Sequence, residues 1–294
     1  MSNQVEGVIL KGIGGFYYVH TGRRQIECKA GGRLRLNRRE KPAVGDRVMA
    51  EERGEEGLIT QILPRKNFLQ RPPIANIDQL FIVASQASPV TDHYLIDKVS
   101  VIALRQGIQP ILVLNKQDVN PSQDFRLIYE KAGFPVLSTS AETGEGVEEL
   151  RQMLRGKVSA FTGNSGIGKS SLLNRLEEGV LMETGSISRI SRGRHTTRRV
   201  ELFFVAEGYL ADTPGFSSFD ISRMEHIPKE ELEQYFPEFE PFLGQCRFSG
   251  CAHCKEPDCA VDQGAREGAI APSRLESYRK LYEEMAQWKE WENK

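Results

Sequence analysis

The sequence predicts an α/β chain in three parts: a small β-barrel over residues 1–66, a parallel α/β domain over 67–222 and a mainly helical tail over 223–294. Three observations predict this. Short β-prone runs broken by Gly and basic turns fill the first part, apolar runs alternating with helical periodicity fill the second, and a knot of Cys and His followed by a polar helical stretch fills the third. No run of eighteen apolar residues occurs and MSNQVEGVIL lacks an export pattern, so a cytoplasmic protein without a membrane span is expected.

In the first part, GVILKGIGGFYYVH, QIECKA, GDRVMAEE and GLITQILP read as strands, and a five-stranded barrel of the oligonucleotide-binding (OB) type fits them best. Thirteen Lys/Arg stand there against eight Asp/Glu, although the net charge of the whole chain is −1. A basic excess alone is a solvated face; beside other nucleic-acid signals it is a phosphate-contact surface. Residues 71–78, RPPIANID, read as a linker.

From residue 77, LFIVAS, PILVLNK, PVLSTS and VSAFTG read as parallel strands, separated by helices near 92–106, 123–132 and 146–155. The run VSAFTG leads into GNSGIGKS and then SLLNRLEE, the strand–loop–helix setting that a phosphate loop requires. Backbone N–H groups of Gly163, Asn164, Ser165, Gly166, Ile167, Gly168, Lys169, Ser170 and Ser171 are the candidate phosphate cradle. Lys169 supplies a charge to the β- and γ-phosphates and the Ser170 hydroxyl a ligand for Mg²⁺. Asn115, Lys116, Gln117 and Asp118 follow PILVL at the carboxyl end of a strand, where open α/β sheets bind ligands. This NKQD resembles the guanine motif of GTPases, with Asp118 accepting two guanine hydrogens and Asn115 bracing the loops; a helix N-cap is the plain alternative for Asp118. STSAETGEG resembles the loop that covers guanine, through Ser140 and Ala141. DTPG resembles the second switch, with Asp212 holding Mg²⁺ through water and the Gly215 N–H sensing the γ-phosphate, though D-T-P-G is also ordinary turn chemistry. GRHTTRR resembles the first switch, with Thr197, ahead of Thr196, closing on Mg²⁺ and the γ-phosphate; Lys169, Thr197, Asp212 and Gly215 are the catalytic candidates. The base motif precedes the phosphate loop, so the central domain is expected to be a circularly permuted α/β P-loop GTPase fold.

The tail carries CRFSGCAHCKEPDC. Cys246, Cys251, His253 and Cys259 make a closed three-thiolate, one-imidazole set suited to structural Zn²⁺, with Cys254 the substitute for His253. A redox pair is the alternative for Cys251 and Cys254, and no thioredoxin-like setting supports it. Connectivity adds an expectation that GTP binding orders residues 188–220 and repositions 246–294.

Barrel, permuted GTPase order and C-x₄-C-x-H-x₅-C spacing together resemble the ribosome small-subunit-dependent GTPase A family (RsgA/YjeQ) over essentially the whole chain. The resemblance implies an N-terminal OB-type barrel, a permuted GTPase domain and a C-terminal zinc-binding domain. It also implies GTP hydrolysis stimulated by the small ribosomal subunit, during that subunit's late maturation, with GTP/GDP, Mg²⁺, Zn²⁺ and rRNA as ligands and a monomer by default. On this footing Arg33, Arg35, Arg38, Arg39, Lys41, Arg192, Arg194, Arg198 and Arg199 become phosphate contacts. Phe216 follows DTPG where many GTPases place a water-positioning Gln, so slow intrinsic hydrolysis is expected, with His195 and His226 as candidate participants. An RNA-binding scaffold with an idle nucleotide site and a P-loop ATPase or kinase are the competing readings; NKQD argues against the second.

Overall fold

The computed structural model describes residues 3–32, 34, 41–53, 56–70, 73–121, 123–184, 200–212 and 227–287. Strands β1 (Asn3–Ile13), β2 (Phe16–His20), β3 (Gln25–Ala30), β4 (Arg47–Arg53) and β5 (Glu56–Ile62) close into a barrel in the order β1-β2-β3-β5-β4, with β4 returning to β1. Gly14 and Gly15, both at positive φ, make the two-residue turn between β1 and β2, the geometry that matches the twist of paired strands. Alternate residues fill the barrel: Ile9, Val19, Ile26, Cys28, Val48, Ala50 and Ile59 form its core. A bulge between Ile9 and Lys11 breaks that alternation, and Leu10 packs in a separate cluster shared with the central domain.

Residues 73–78 are not a loose linker. β6 (Phe68–Gln70) pairs with β7 (Pro73–Ala75), and Ile74, Ala75, Asn76 and Ile77 are all buried. Pro73 is tolerated because it opens the short strand, and Asn76 donates to the Gly45 carbonyl at 2.9 Å, tying the segment to the barrel.

The central sheet contains β8 (Gln79–Ala84), β9 (Gln109–Leu114), β10 (Val136–Ser138), β11 (Val158–Thr162), β12 (Glu201–Val205) and β13 (Gly208–Asp212) in the order β10-β9-β8-β11-β13-β12. All neighbours are parallel except β12 and β13, which form a hairpin. The wholly apolar FIVA of β8 reflects burial on both faces. Leu80, Ile82 and Ala84 face the layer of α1 (His93–Arg105) and α2 (Gln123–Lys131). Phe81 and Val83 face that of α3 (Val147–Leu154) and α4 (Lys169–Thr184). The chain runs outward from β8 to β9 and β10 and, later, in the other direction from β11, so a crevice opens at the carboxyl ends of β8, β9 and β11.

The acidic stretch after residue 227 forms two 3-10 turns, Lys229–Tyr235 and Pro237–Phe242, ahead of α5 (Ala260–Arg266) and α6 (Pro272–Ala286). Their core joins Phe236, Phe239 and Tyr278 to Val101 of α1. Arg274 of α6 fastens this packing. It is fully buried, donates to Asp97 of α1 at 2.7 Å and to both Glu238 oxygens at 2.6 and 3.0 Å, and lies 4.6 Å from the Phe236 ring centroid. Tyr129 of α2 donates to the same Asp97 oxygen at 2.9 Å. Lys98 and Tyr94 extend the seam at its rim by reaching Glu284, Lys98 at 2.6 Å.

Candidate nucleotide site and metal cluster

The crevice is built by three loops that one side chain holds together. Asn115, 1% exposed at the end of β9, donates to the Ile167 carbonyl of GNSGIGKS at 2.8 Å. Its oxygen accepts the Ala141 N–H at 3.1 Å and the Thr139 hydroxyl at 3.3 Å. NKQD, STSA and the phosphate loop therefore meet on a single buried amide. Glycine is required where they meet: Gly168 sits at φ +93°, and a Cβ there would stand 2.3 Å from the Asn115 amide nitrogen. Gly163 is similarly confined, its would-be Cβ 2.3 Å from the Val83 carbonyl oxygen. Ile167 is the loop's apolar foot, fully buried in the sheet face below.

Asp118 is exposed at the mouth, and the buried Ser140 donates its hydroxyl to the Asp118 carboxylate at 2.5 Å. That bond fixes one carboxylate oxygen and aims the group, as recognition of a planar base by two hydrogen bonds requires. Lys116, at φ +65°, sends its ammonium to the Ser88 carbonyl at 2.6 Å and so secures the loop after β8 against the loop after β9. Lys169 donates to the Gly163 and Asn164 carbonyls, 2.6 Å each, keeping its charge on its own loop. Ser165, Ser170 and Ser171 are exposed around it. A loop in which Gly163 and Gly168 leave no room for side chains, with a cation inside and backbone N–H groups at the start of α4, fits a triphosphate. Sequence reasoning missed Arg175, which donates from α4 to the Ala141 carbonyl at 2.9 Å and the Glu142 carbonyl at 2.6 Å, holding the STSA loop from beneath.

Thr196, Thr197, His195, Gly215, Phe216, His226, Arg33, Arg35, Arg38, Arg39, Arg192, Arg194, Arg198 and Arg199 lie outside the described residues; the backbone of Asp212 ends β13, opposite Glu201. Lys41 is exposed beside the barrel.

In the tail, one ligating atom from each of Cys246, Cys251, His253 and Cys259 lies within 4.8 Å of every other. The Cys259 sulfur is 3.3 Å from His253 Nδ1, and Cys246 accepts the Ala260 N–H at 3.4 Å. This set could hold a metal ion, and three soft thiols with one imidazole suit zinc. Glu233 stands 3.0 Å from His253 Nε2, the outer-shell carboxylate that orients a ligating imidazole. His253 enters the cluster through a left-handed turn, φ +56°, while Cys254 is not among the four; burial pushes its thiol up to about 11. Glu256 braces the loop by accepting the N–H groups of Ala252, Cys254 and Lys255. Glu233 carried no signal in sequence, being thirteen residues ahead of Cys246, the first of the tail cluster.

Comparison with known proteins agrees with this layout. Residues 62–222 match the RsgA GTPase family and residues 6–59 the RsgA N-terminal domain. The chain is 44% identical to the small ribosomal subunit biogenesis GTPase RsgA of Caldanaerobacter subterraneus subsp. tengcongensis, covering 96% of each chain. It is 42% identical to the protein of the same name from Geobacillus thermodenitrificans, covering 97% of this chain and 98% of the other. Among solved structures, YjeQ from Thermotoga maritima superposes with TM-score 0.82 at 35% identity over 98% of this chain and all of the other. YloQ, described as a circularly permuted GTPase, gives 0.80 at 33%, over 98% and 96%. Among the described residues no helix is long and apolar enough to cross a membrane.

Proposed function

The chain belongs to the RsgA GTPase family, and from that membership we propose that it binds the small ribosomal subunit in the cytoplasm, assists its late maturation and hydrolyses GTP when the subunit stimulates it. As a family member it is a GTP hydrolase. The observation that carries the reading is the Asn115 amide, which brings base, cover and phosphate loops into one pocket although they lie on separate parts of the chain.

Within that pocket Asp118 selects guanine, held in aim by Ser140, and Ala141 closes over the base with Arg175 beneath it. Phosphate oxygens outcompete the neutral carbonyls that hold Lys169, so the ammonium turns to the triphosphate. Mg²⁺, bound with GTP by Ser170 and Thr197, would offset the phosphate charge. Asp212 and Gly215 complete the site from the second switch. With Phe216 in place of a water-positioning side chain, the subunit supplies or orders the missing group. One Zn²⁺ on Cys246, Cys251, His253 and Cys259 stabilises the tail. Residues 1–66 and 223–294 flank the GTPase domain, 67–222, as rRNA-contacting modules of a monomer. GTP and ATP turnover, measured with small subunits, large subunits and intact ribosomes, tests the proposal. Selective stimulation of GTP turnover by the small subunit is expected; equal turnover of ATP, or no stimulation by any particle, overturns it.

A further inference from the structure

The hairpin β12–β13 carries the chain from GRHTTRR to DTPG, so in sequence its two strands adjoin both segments assigned to the switches. Its turn end is fixed. Gly156 donates to the Glu207 carbonyl at 2.9 Å, and Gly208 lies so close to α3 that a Cβ would meet the Leu154 carbonyl oxygen at 1.9 Å. Beyond that turn, the barrel packs on the hairpin. Leu10, pushed out of the barrel core by the β1 bulge, shares one apolar cluster with Val200, Leu202 and Ala211, and Val8 and Tyr209 pack against it.

Three polar or aromatic contacts finish this seam. Lys11 pairs with Glu201 at 2.8 Å, His20 Nδ1 meets the Tyr209 hydroxyl at 2.9 Å, and the His20 ring lies 4.4 Å from that of Phe204. The Lys11 and Glu201 side chains are 29% and 38% exposed, and Phe204 is 44% exposed, so the seam can open and reseal without stranding a buried charge. Lys11 and His20 lie on adjacent barrel strands, opposite Tyr18 and Val8 on either side of the bulge, and have no packing duty in the barrel core, which Ile9 and Val19 fill.

We propose that this seam is a latch by which the barrel reads the nucleotide state: a shift of β12–β13 on GTP binding is transmitted through Lys11–Glu201 and His20–Tyr209, and occupation of the barrel by RNA biases the switches in return. The proposal rests on the reading of 193–199 and 212–215 as GTP switches. Reciprocity follows from thermodynamic linkage, whatever the order of events.

The test is amide hydrogen exchange over residues 8–20 of the full chain, with GDP and with a non-hydrolysable GTP analogue plus Mg²⁺, nucleotide binding being measured on the same samples. In the wild type, exchange is expected to differ at least about fivefold between the two nucleotides, the lower end of ordinary allosteric couplings. Lys11→Glu should abolish the difference, Lys11→Glu with Glu201→Lys should restore it, and Tyr209→Phe, which keeps the ring contacts, should reduce it. A nucleotide-independent exchange pattern in β1 and β2 of a chain that binds both nucleotides overturns the latch, as does an undiminished difference in Lys11→Glu. Failure to bind GTP removes the reading beneath it. No ribosome enters the experiment, so the latch and subunit stimulation fail separately.

Discussion

Replacing Asn115 by Ala should dismantle the nucleotide pocket without disturbing the sheet that carries it. The substitution removes the bond to the Ile167 carbonyl at 2.8 Å, the bond from the Ala141 N–H at 3.1 Å and a longer one from Thr139 at 3.3 Å. Two sound hydrogen bonds contribute about 1 kcal/mol each, and leaving buried partners unsatisfied adds about 1 kcal/mol or more, for a loss of about 2–4 kcal/mol. The Asn115 N–H still donates to the Ala84 carbonyl at 2.9 Å, so the loss falls on loop placement rather than on β9. If nucleotide binding has to reassemble the loops, affinity drops by about 1.5 to 3 decades. Titration with a fluorescent GDP analogue measures this directly. Gly168→Ala reaches the same amide from the other side, because its Cβ would stand 2.3 Å from Asn115 Nδ2. In the double variant the clash has no partner, so the two losses should sum to clearly more than the double variant's loss. Binding of GDP within threefold of wild type by Asn115→Ala, or strict additivity in the cycle, would refute the reasoning.

Three further outcomes are expected. Arg274→Met strands Asp97 and Glu238, 0% and 3% exposed, and should lower unfolding stability by about 3–5 kcal/mol in urea titration; a change under 1 kcal/mol would mean that the seam relaxes around the loss. Cys246→Ser should reduce bound zinc from about one equivalent, by elemental analysis, and lower the melting temperature; full zinc retention would point to another ligand set. Burial lowers the pKa of both His20 and His93, so the folded state prefers them neutral while the unfolded chain takes up protons near pH 6.5. Stability from these groups is complete above about pH 6.5 and is lost as pH falls through the lowered folded values. The melting temperature should therefore fall from pH 7 toward pH 5, and less steeply in the His20→Gln/His93→Gln variant; an unchanged slope would exclude them as the source.

Much of the site was legible because phosphate and base recognition constrain residue type locally. Only glycine fits at Gly163 and Gly168, and the spacing of Cys246, Cys251, His253 and Cys259 lets their ligating atoms gather within 4.8 Å, as a single ion would require. The helices over His93–Arg105, Gln123–Lys131 and Val147–Leu154 fell within two residues of expectation because strand and helix periods alternate cleanly there. What escaped depends on contacts between distant segments. Arg175 is one of several surface-type residues on α4 until the STSA carbonyls come within its reach. Arg274 stands in the polar helical stretch of the tail with nothing in its local sequence to mark it, yet it is buried against Asp97 of α1. The Pro-rich start of RPPIANID suggested a linker, whereas tertiary packing made Pro73–Ala75 a short strand with Ile74 and Ala75 buried.

The position of β12 at the outer margin of the sheet has a further consequence. Its sequence, ELFFV, is short, strongly β-forming and carries a single charge, and an uncovered strand of that kind is a template for pairing between chains. Beside it the barrel's Lys11 places a cation and Leu10 seals the apolar flank. The barrel is thus also a solubility device for the domain that follows it. A truncated chain starting near residue 67 would uncover Val200 and Leu202 beside the already exposed Phe204, and its loss of activity would report self-association as readily as loss of the proposed RNA contact.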